Sequence, residues 1–199
     1  MDGAILITGN AGSGYAAIGE SLASGNDSGN YYVVNGPARS EQISKEGWEK
    51  AMLSSAEVQN WPEYKTKLNP GDRIHFKDIE LWFLKGSDNE AFEELLDFIR
   101  TYGDKLRICL TCGIEFYKYA KKLTSFDSVL QSTIVVSPVS LKTSIKEILH
   151  RHHSGGMKLV LEGKSFEQMN KRQINQLLRR YHSMSNGNIG AALHLWLAN

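Results

Sequence analysis

Apolar and polar positions along the first two thirds of the chain predict strands separated by helices. Ala4 to Thr8 is a short apolar run flowing into GNAGSG, and Tyr15 to Ala23 carries helix-compatible residues as far as the turn-rich Ser24 to Asn30: strand, glycine loop, helix. Tyr31 to Val34 predicts a second strand, stopped by Asn35, Gly36 and Pro37, and Glu41 to Ser55 a helix with Trp48, Met52 and Leu53 on one side. Ala56 to Asp72, holding Trp61, Pro62, Asn69, Pro70 and Gly71, reads as a long loop or insertion. Arg73 to Asp78, with Ile79, Leu81 and Phe83 beyond, predicts a third strand or a strand and turn, with Asp88 and Asn89 as caps for the next helix. There Phe92, Leu95, Leu96 and Ile99 recur at i, i+3, i+4, i+7, the strongest helical signal in the chain. Arg107 to Thr111 is a fourth strand, Ile114 to Leu123 a helix and Thr133 to Val136 a fifth strand. Strands separated by helices imply an α/β fold with a mostly parallel sheet covered on both faces.

After Pro138 the texture changes. Ile145, Ile148 and Leu149 share one helix face, Ile174, Leu177, Leu178 and Tyr181 a second, and Ile189, Leu193, Trp196 and Leu197 a third. The expected organisation is an α/β core over residues 1–137 and a small helical subdomain over 138–199, with no further β-α unit and no solenoid repeat.

Composition narrows the class. The chain has 199 residues, 41% apolar and 23% charged, with 4 Pro, the balance of a folded protein. No apolar stretch approaches the ~20 residues that span a bilayer, and Asp2 with no basic start argues against a signal peptide. With 2 Cys and 6 His, a reducing cytoplasm is the expected setting. The net charge of +1 hides a split: residues 1–99 hold 8 Lys/Arg against 16 Asp/Glu, and residues 100–199 hold 15 against 6. Mixed solvated helices account for such an excess; the competing reading is attraction to an anionic partner such as nucleic acid, or to a neighbouring copy.

The glycine loop carries the candidate chemistry. Gly9 to Gly14 forms the GxxxxG frame of a phosphate-binding loop between a predicted strand and a predicted helix, with Gly9, Asn10, Gly12, Ser13 and Gly14 offering backbone N–H groups to an anion. A hydrolytic loop continues with Lys, for the β- and γ-phosphates, and Ser or Thr, for Mg²⁺. Here Tyr15 and Ala16 follow; a phenol is neutral at pH 7 and a methyl ligates nothing. Asp78 closes the third strand and Glu80 follows two residues on, so a carboxylate near the loop could hold a metal through water, with Asp78 the candidate ligand; Ile79 stands where a water-activating Glu would be sought. His75 and Lys77 alternate with Ile74 and Phe76, which also fits a half-exposed strand.

With these motifs the chain resembles the AAA+ branch of P-loop ATPases: ILITGNAGSG as the phosphate loop, HFKDIE as the metal-carboxylate strand, CLTCG as the fourth strand, IVVSPVS as the fifth, and a helical lid ending SNGNIGAALHLWL. The resemblance implies a five-stranded parallel sheet in the order 5-1-4-3-2, a helical lid, and a nucleotide site at the junction of core and lid, at Gly9, Asn10, Gly12, Ser13, Gly14, Tyr15, Ala16, Asp78, Glu80 and Thr111. Cys112 occupies the region of a usual polar sensor, and Asn188, Ile189 and Gly190 stand where a lid arginine would be looked for. The helix and loop that precede the phosphate loop in that family are not in the sequence, which suggests a domain cut from a longer protein. The expectation is a pseudo-ATPase: a binding, assembly or regulatory module for other subunits or its parent chain, binding ATP or ADP weakly and without need of Mg²⁺. Two alternatives remain, a weak ATPase borrowing a lysine such as Lys158 or one from a neighbouring chain, and a nucleic-acid-associated regulator using Lys171, Arg172, Arg179 and Arg180 of the basic half.

Other constellations point to structure. Cys109 and Cys112 form a CxxC inside a strand rather than at a helix N-terminus, which favours core cysteines over a redox pair. His150, His152 and His153 cluster at a helix end, where cations suit the C-terminus without a metal. No GxSxG or Ser-His-Asp order supports a hydrolase of that kind.

Overall fold

The computed structural model describes residues 3–25, 29–37, 43–83, 89–156, 160–161 and 164–198, with the backbone alone for 160, 161 and 164. They fall into two compact units, Met1–Gly9 with Tyr15–Val135, and Asn10–Gly14 with Val136–Asn199.

In the first unit five strands, β1 (Ala4–Gly9), β2 (Tyr31–Asn35), β3 (Arg73–Lys77), β4 (Arg107–Gly113) and β5 (Leu130–Val136), form a parallel sheet in the order β2-β3-β4-β1-β5. This is the order the resemblance implies, read from the other edge. The register sets Ala4 against Ile108 and Gly9 against Gly113, so β1 and β4 end side by side where the chain turns into helices α1 (Tyr15–Ser24) and α5 (Ile114–Leu123). The central strands β1, β3 and β4 are buried on both faces, as their near-continuous apolar runs require. Helices α2 (Lys45–Ser55) and α4 (Glu90–Tyr102) close the core: Trp48 and Met52 of α2 are buried, as are Phe92, Leu95, Leu96 and Ile99 of α4. Phe92 meets Phe83, Phe116 and Phe126 edge-on, with centroids 5.3, 5.7 and 5.5 Å away.

Several boundaries differ from the sequence reading. The expected loop over 56–72 contains a helix, α3 (Trp61–Lys67): Asn60 caps it by accepting from the Glu63 N–H at 3.0 Å, Pro62 falls in the first turn where no donor is needed, and Trp61 stacks on Trp48 at 5.7 Å. β3 stops at Lys77, because Asp78 is left-handed (φ 50°) and Ile79–Trp82 wind into a 3-10 turn. β3 is not half-exposed: Arg73, Ile74, His75 and Phe76 are all buried, because α1 covers the face that carries His75 while Ile74 and Phe76 face the core on the other side. α2 begins at Lys45 behind its cap Ser44, while Glu41 lies outside the described residues; Asn89 holds the cap position of α4, and Asp88 also lies outside them. β5 starts at Leu130, three residues before the expected Thr133.

The second unit packs α6 (Leu141–Ser154), α7 (Lys171–Met184) and α8 (Ile189–Leu197) around Ile148, Phe166, Leu177, Leu178, Tyr181, Ala192 and Trp196. It is not wholly helical: β6 (Val160–Leu161) and β7 (Lys164–Ser165) pair antiparallel. His152 is a core side chain rather than a solvent-facing one at a helix end, tilted on Phe166 at 4.3 Å with Nε2 3.2 Å from Glu167. Both cysteines are buried and free; burial pushes each thiol up to about 12, which leaves no reactive thiolate. Among the described residues no helix is long and apolar enough to cross a membrane.

Candidate functional site

The glycine loop belongs to the second unit, and α8 holds it there. Ser13 N–H bonds back to the Asn10 carbonyl at 2.9 Å, and Gly12 (φ 79°) and Gly14 (φ 86°) take the left-handed conformations that make the turn. Asn188, the cap of α8, uses both ends of its amide: Oδ1 accepts from the Ala191 N–H at 3.0 Å and Nδ2 donates to the Ala11 carbonyl. Gly190 N–H donates to the Gly12 carbonyl at 3.0 Å. A Cβ on Gly190 would stand 2.6 Å from that carbonyl oxygen, so the two backbones approach as closely as glycine allows. The Ser13 Oγ is buried with no hydrogen-bond partner among the described residues.

In the first unit the loop gives way to α1, and Tyr15 opens that helix. Its phenol is pushed up to about 12, first by burial, then by the nearby carboxylates Glu80 and Asp78 and the Cys112 thiol. Ala16 beside it is exposed. Glu80 is anchored through Oε1, which accepts from the Gly113 N–H at 3.1 Å, while Oε2 is buried without a partner. Burial is the main force raising the Glu80 carboxyl; its own and the Gly113 N–H groups pull it back, and Asp78 adds to the rise. Cys112 Sγ donates to Thr8 Oγ1 at 3.9 Å. Lys77, the nearest cation along β3, pairs with Glu20 at 3.2 Å.

No protein-family model matches the chain, and no curated protein is detectably similar to it in sequence. Solved structures are similar to it in shape. The AAA domain of FIGL-1 in complex with ADP aligns over 98% of this chain and 59% of its own length, with a TM-score of 0.59 and 17% identity. A point mutant of RuvB from Thermotoga maritima aligns over 99% and 54%, at 0.62 and 15%. The fold is that of an AAA+ domain. Drosophila ORC bound to DNA shares it, over 98% of this chain and 54% of its own, at 0.61 and 14%. The chain spans between a half and three fifths of the length of these structures.

On this AAA+ fold Tyr15, Asp78, Glu80 and Cys112 come within electrostatic reach of one another. Thr111 is turned elsewhere: its Oγ1 lies 3.3 Å from His75 Nε2 and 3.5 Å from the Phe76 carbonyl, and its methyl lies under Gly19 of α1. Lys171, Arg172, Arg179 and Arg180 all lie exposed on α7 of the second unit. Lys158 lies outside the described residues. Sequence reasoning missed Asn188 and Gly190 as the groups that hold the loop; the SNGNIG stretch carried the signal, since a cap Asn two residues before a Gly lets a helix start lie against another backbone.

Proposed function

We infer that this chain is an AAA+-fold binding and assembly module that does not hydrolyse ATP. Tyr15 at the first turn of α1 carries the inference: a phenol with a pKa near 12 is neutral at pH 7 and offers the triphosphate no counter-charge. The neighbouring side chains Asp78 and Glu80 are carboxyls, which bring no cation in its place. These carboxylates are the hard ligands Mg²⁺ takes, but Ala16 lacks the hydroxyl that holds the metal beside the β- and γ-phosphates. The residues present do not fit a Mg²⁺–triphosphate pair. The glycine-loop N–H groups retain the chemistry for weak anion binding, so ADP, the ligand held by the FIGL-1 neighbour, is the reasonable probe. The partners of such a module are other protein subunits or a longer parent chain.

Calorimetry with ADP and ATP, with and without Mg²⁺, tests the reading. The expected result is weak or undetectable heat that Mg²⁺ does not change. Tyr15→Lys with Ala16→Ser should tighten nucleotide binding at least about tenfold by restoring the cation and the hydroxyl. Steady ATP turnover by the unmodified chain, abolished in Asp78→Ala, would overturn it.

A further inference from the structure

Helix α7 carries Lys171, Asn175 and Arg179 at i, i+4, i+8, and beside them Arg172, Gln176 and Arg180 at the same spacing. These make two adjacent ridges, each a cation, an amide and a cation. Each ridge is about 12 Å long, a length that meets three to four phosphates of a strand rising about 3.4 Å per nucleotide. The opposite side of the helix, through Leu177, Leu178 and Tyr181, is buried in the unit's own core, so the ridges face solvent. Lys171, Arg172, Asn175, Gln176 and Arg179 line one shallow depression.

Three features set this face apart from an ordinary solvated helix. α7 contains no Asp or Glu at all, and residues 136–199 hold 9 Lys/Arg against 3 Asp/Glu. Among the described residues no carboxylate pairs with any of the four cations, and Glu167 of the same unit is engaged by His152. Lys171 and Arg172 occupy the first turn, at the positive end of the helix macrodipole, where cations weaken the helix and Asp or Glu would strengthen it. Helix stability therefore gives no reason for this arrangement, whereas a polyanion does.

We propose that the solvent face of α7 is a nucleic-acid backbone surface, binding phosphates without reading sequence. Arg supplies forked donors for phosphate oxygens, Lys a point charge, and Asn175 and Gln176 further donors between them. A lipid surface is less suited, because no exposed large apolar side chain lies between the four cations; Met184, one turn beyond Arg180, is exposed at the far end of the helix. The surface acts independently of the glycine loop and stands whether or not nucleotide binds.

The test is fluorescence anisotropy of the full chain with labelled duplex and single-stranded oligonucleotides of arbitrary sequence, over a salt series. Binding should weaken linearly on a log-log plot, with a duplex slope of about −3.6 if all four cations engage. Each Lys or Arg to Gln change at Lys171, Arg172, Arg179 or Arg180 should flatten the slope by about 0.9 while circular dichroism stays unchanged, since Gln is a good helix former. Lys142→Gln with Lys146→Gln, exposed on α6, should leave the slope alone. Three results overturn the proposal: no binding of either oligonucleotide, a slope the α7 variants do not move, or binding of anionic vesicles or polyglutamate at affinities equal to or above those for nucleic acid.

Discussion

His75 is wholly buried in β3, its Nδ1 3.3 Å from the Tyr31 hydroxyl and its Nε2 3.3 Å from the Thr111 hydroxyl. Burial, then the Lys77 charge, drives its pKa down to about 4, with Glu20 partly opposing. The unfolded chain takes up this proton near pH 6.5 and the folded chain resists it to about 4, so the group's contribution to stability is present above about 6.5 and is lost as pH falls toward 4. The loss is on the order of 3 kcal/mol at most, at one pK unit per ~1.4 kcal/mol. Urea denaturation at stepped pH should show it, and His75→Gln, which keeps a hydrogen-bonding side chain without the titration, should flatten the acid limb. Identical acid limbs for the two proteins would remove the assignment. The sequence misled at this residue for a physical reason. His75 and Lys77 alternate with Ile74 and Phe76 as on a half-exposed strand, but the polar side of β3 lies beneath α1, where Tyr31 and Thr111 satisfy the imidazole. Gly19 makes room for that layer, since a Cβ there would stand 2.3 Å from the Thr111 methyl. A long-range polar contact of this kind leaves no periodic trace.

At the scale of elements, α3 and the start of α8 show what local pattern reveals and what it hides. Asn69, Pro70 and Gly71 just beyond Trp61–Lys67 outweigh a legible start signal: Asn60 as cap, Pro62 in the first turn, and Glu63 accepting from the Gln59 N–H at 3.1 Å. Asn60→Ala should cost about 1 kcal/mol in chemical denaturation, and a change within error would mean that burial of Tyr64 alone holds the helix. The strand-loop-helix around Gly9 to Gly14 was legible because its glycines fall between an apolar run and a helix-forming one. Its clasp by α8 was not, because Asn188 and Ala11 are far apart in sequence and meet through one amide. Gly190→Ala sets a methyl against the Gly12 carbonyl and should destabilise the second unit, whereas Gly156→Ala, where a Cβ meets nothing within 4 Å, should lose stability through its left-handed backbone (φ 62°) alone. The comparison is read as the ratio of unfolding midpoints: if Gly190→Ala is the milder of the two, the close approach of loop and helix is not a constraint.

Among the described residues the buried side chains form two cores of unequal size. Among the described residues, 25 buried side chains form the core of the first unit, against 7 in the second. Their placement follows the change of texture after Pro138, where strands give way to helices with one apolar face each, too few to bury much surface. Apolar burial contributes about 25 cal/mol for each Å² removed from water, so the smaller core has far less to set against its chain entropy. Local opening draws on the least stable elements first. Native-state hydrogen exchange should therefore show the amides of β1, β3 and β4 as the slowest, exchanging through global unfolding, and those of α6, α7 and α8 as faster, exchanging through opening of the second unit. Leu178→Ala, which removes a fully buried side chain from the smaller core, should speed exchange across all three helices by a similar factor and leave the central strands unchanged. Equal protection in α7 and β4, or a Leu178→Ala effect that spreads into β4, would mean that the two cores open as one cooperative body.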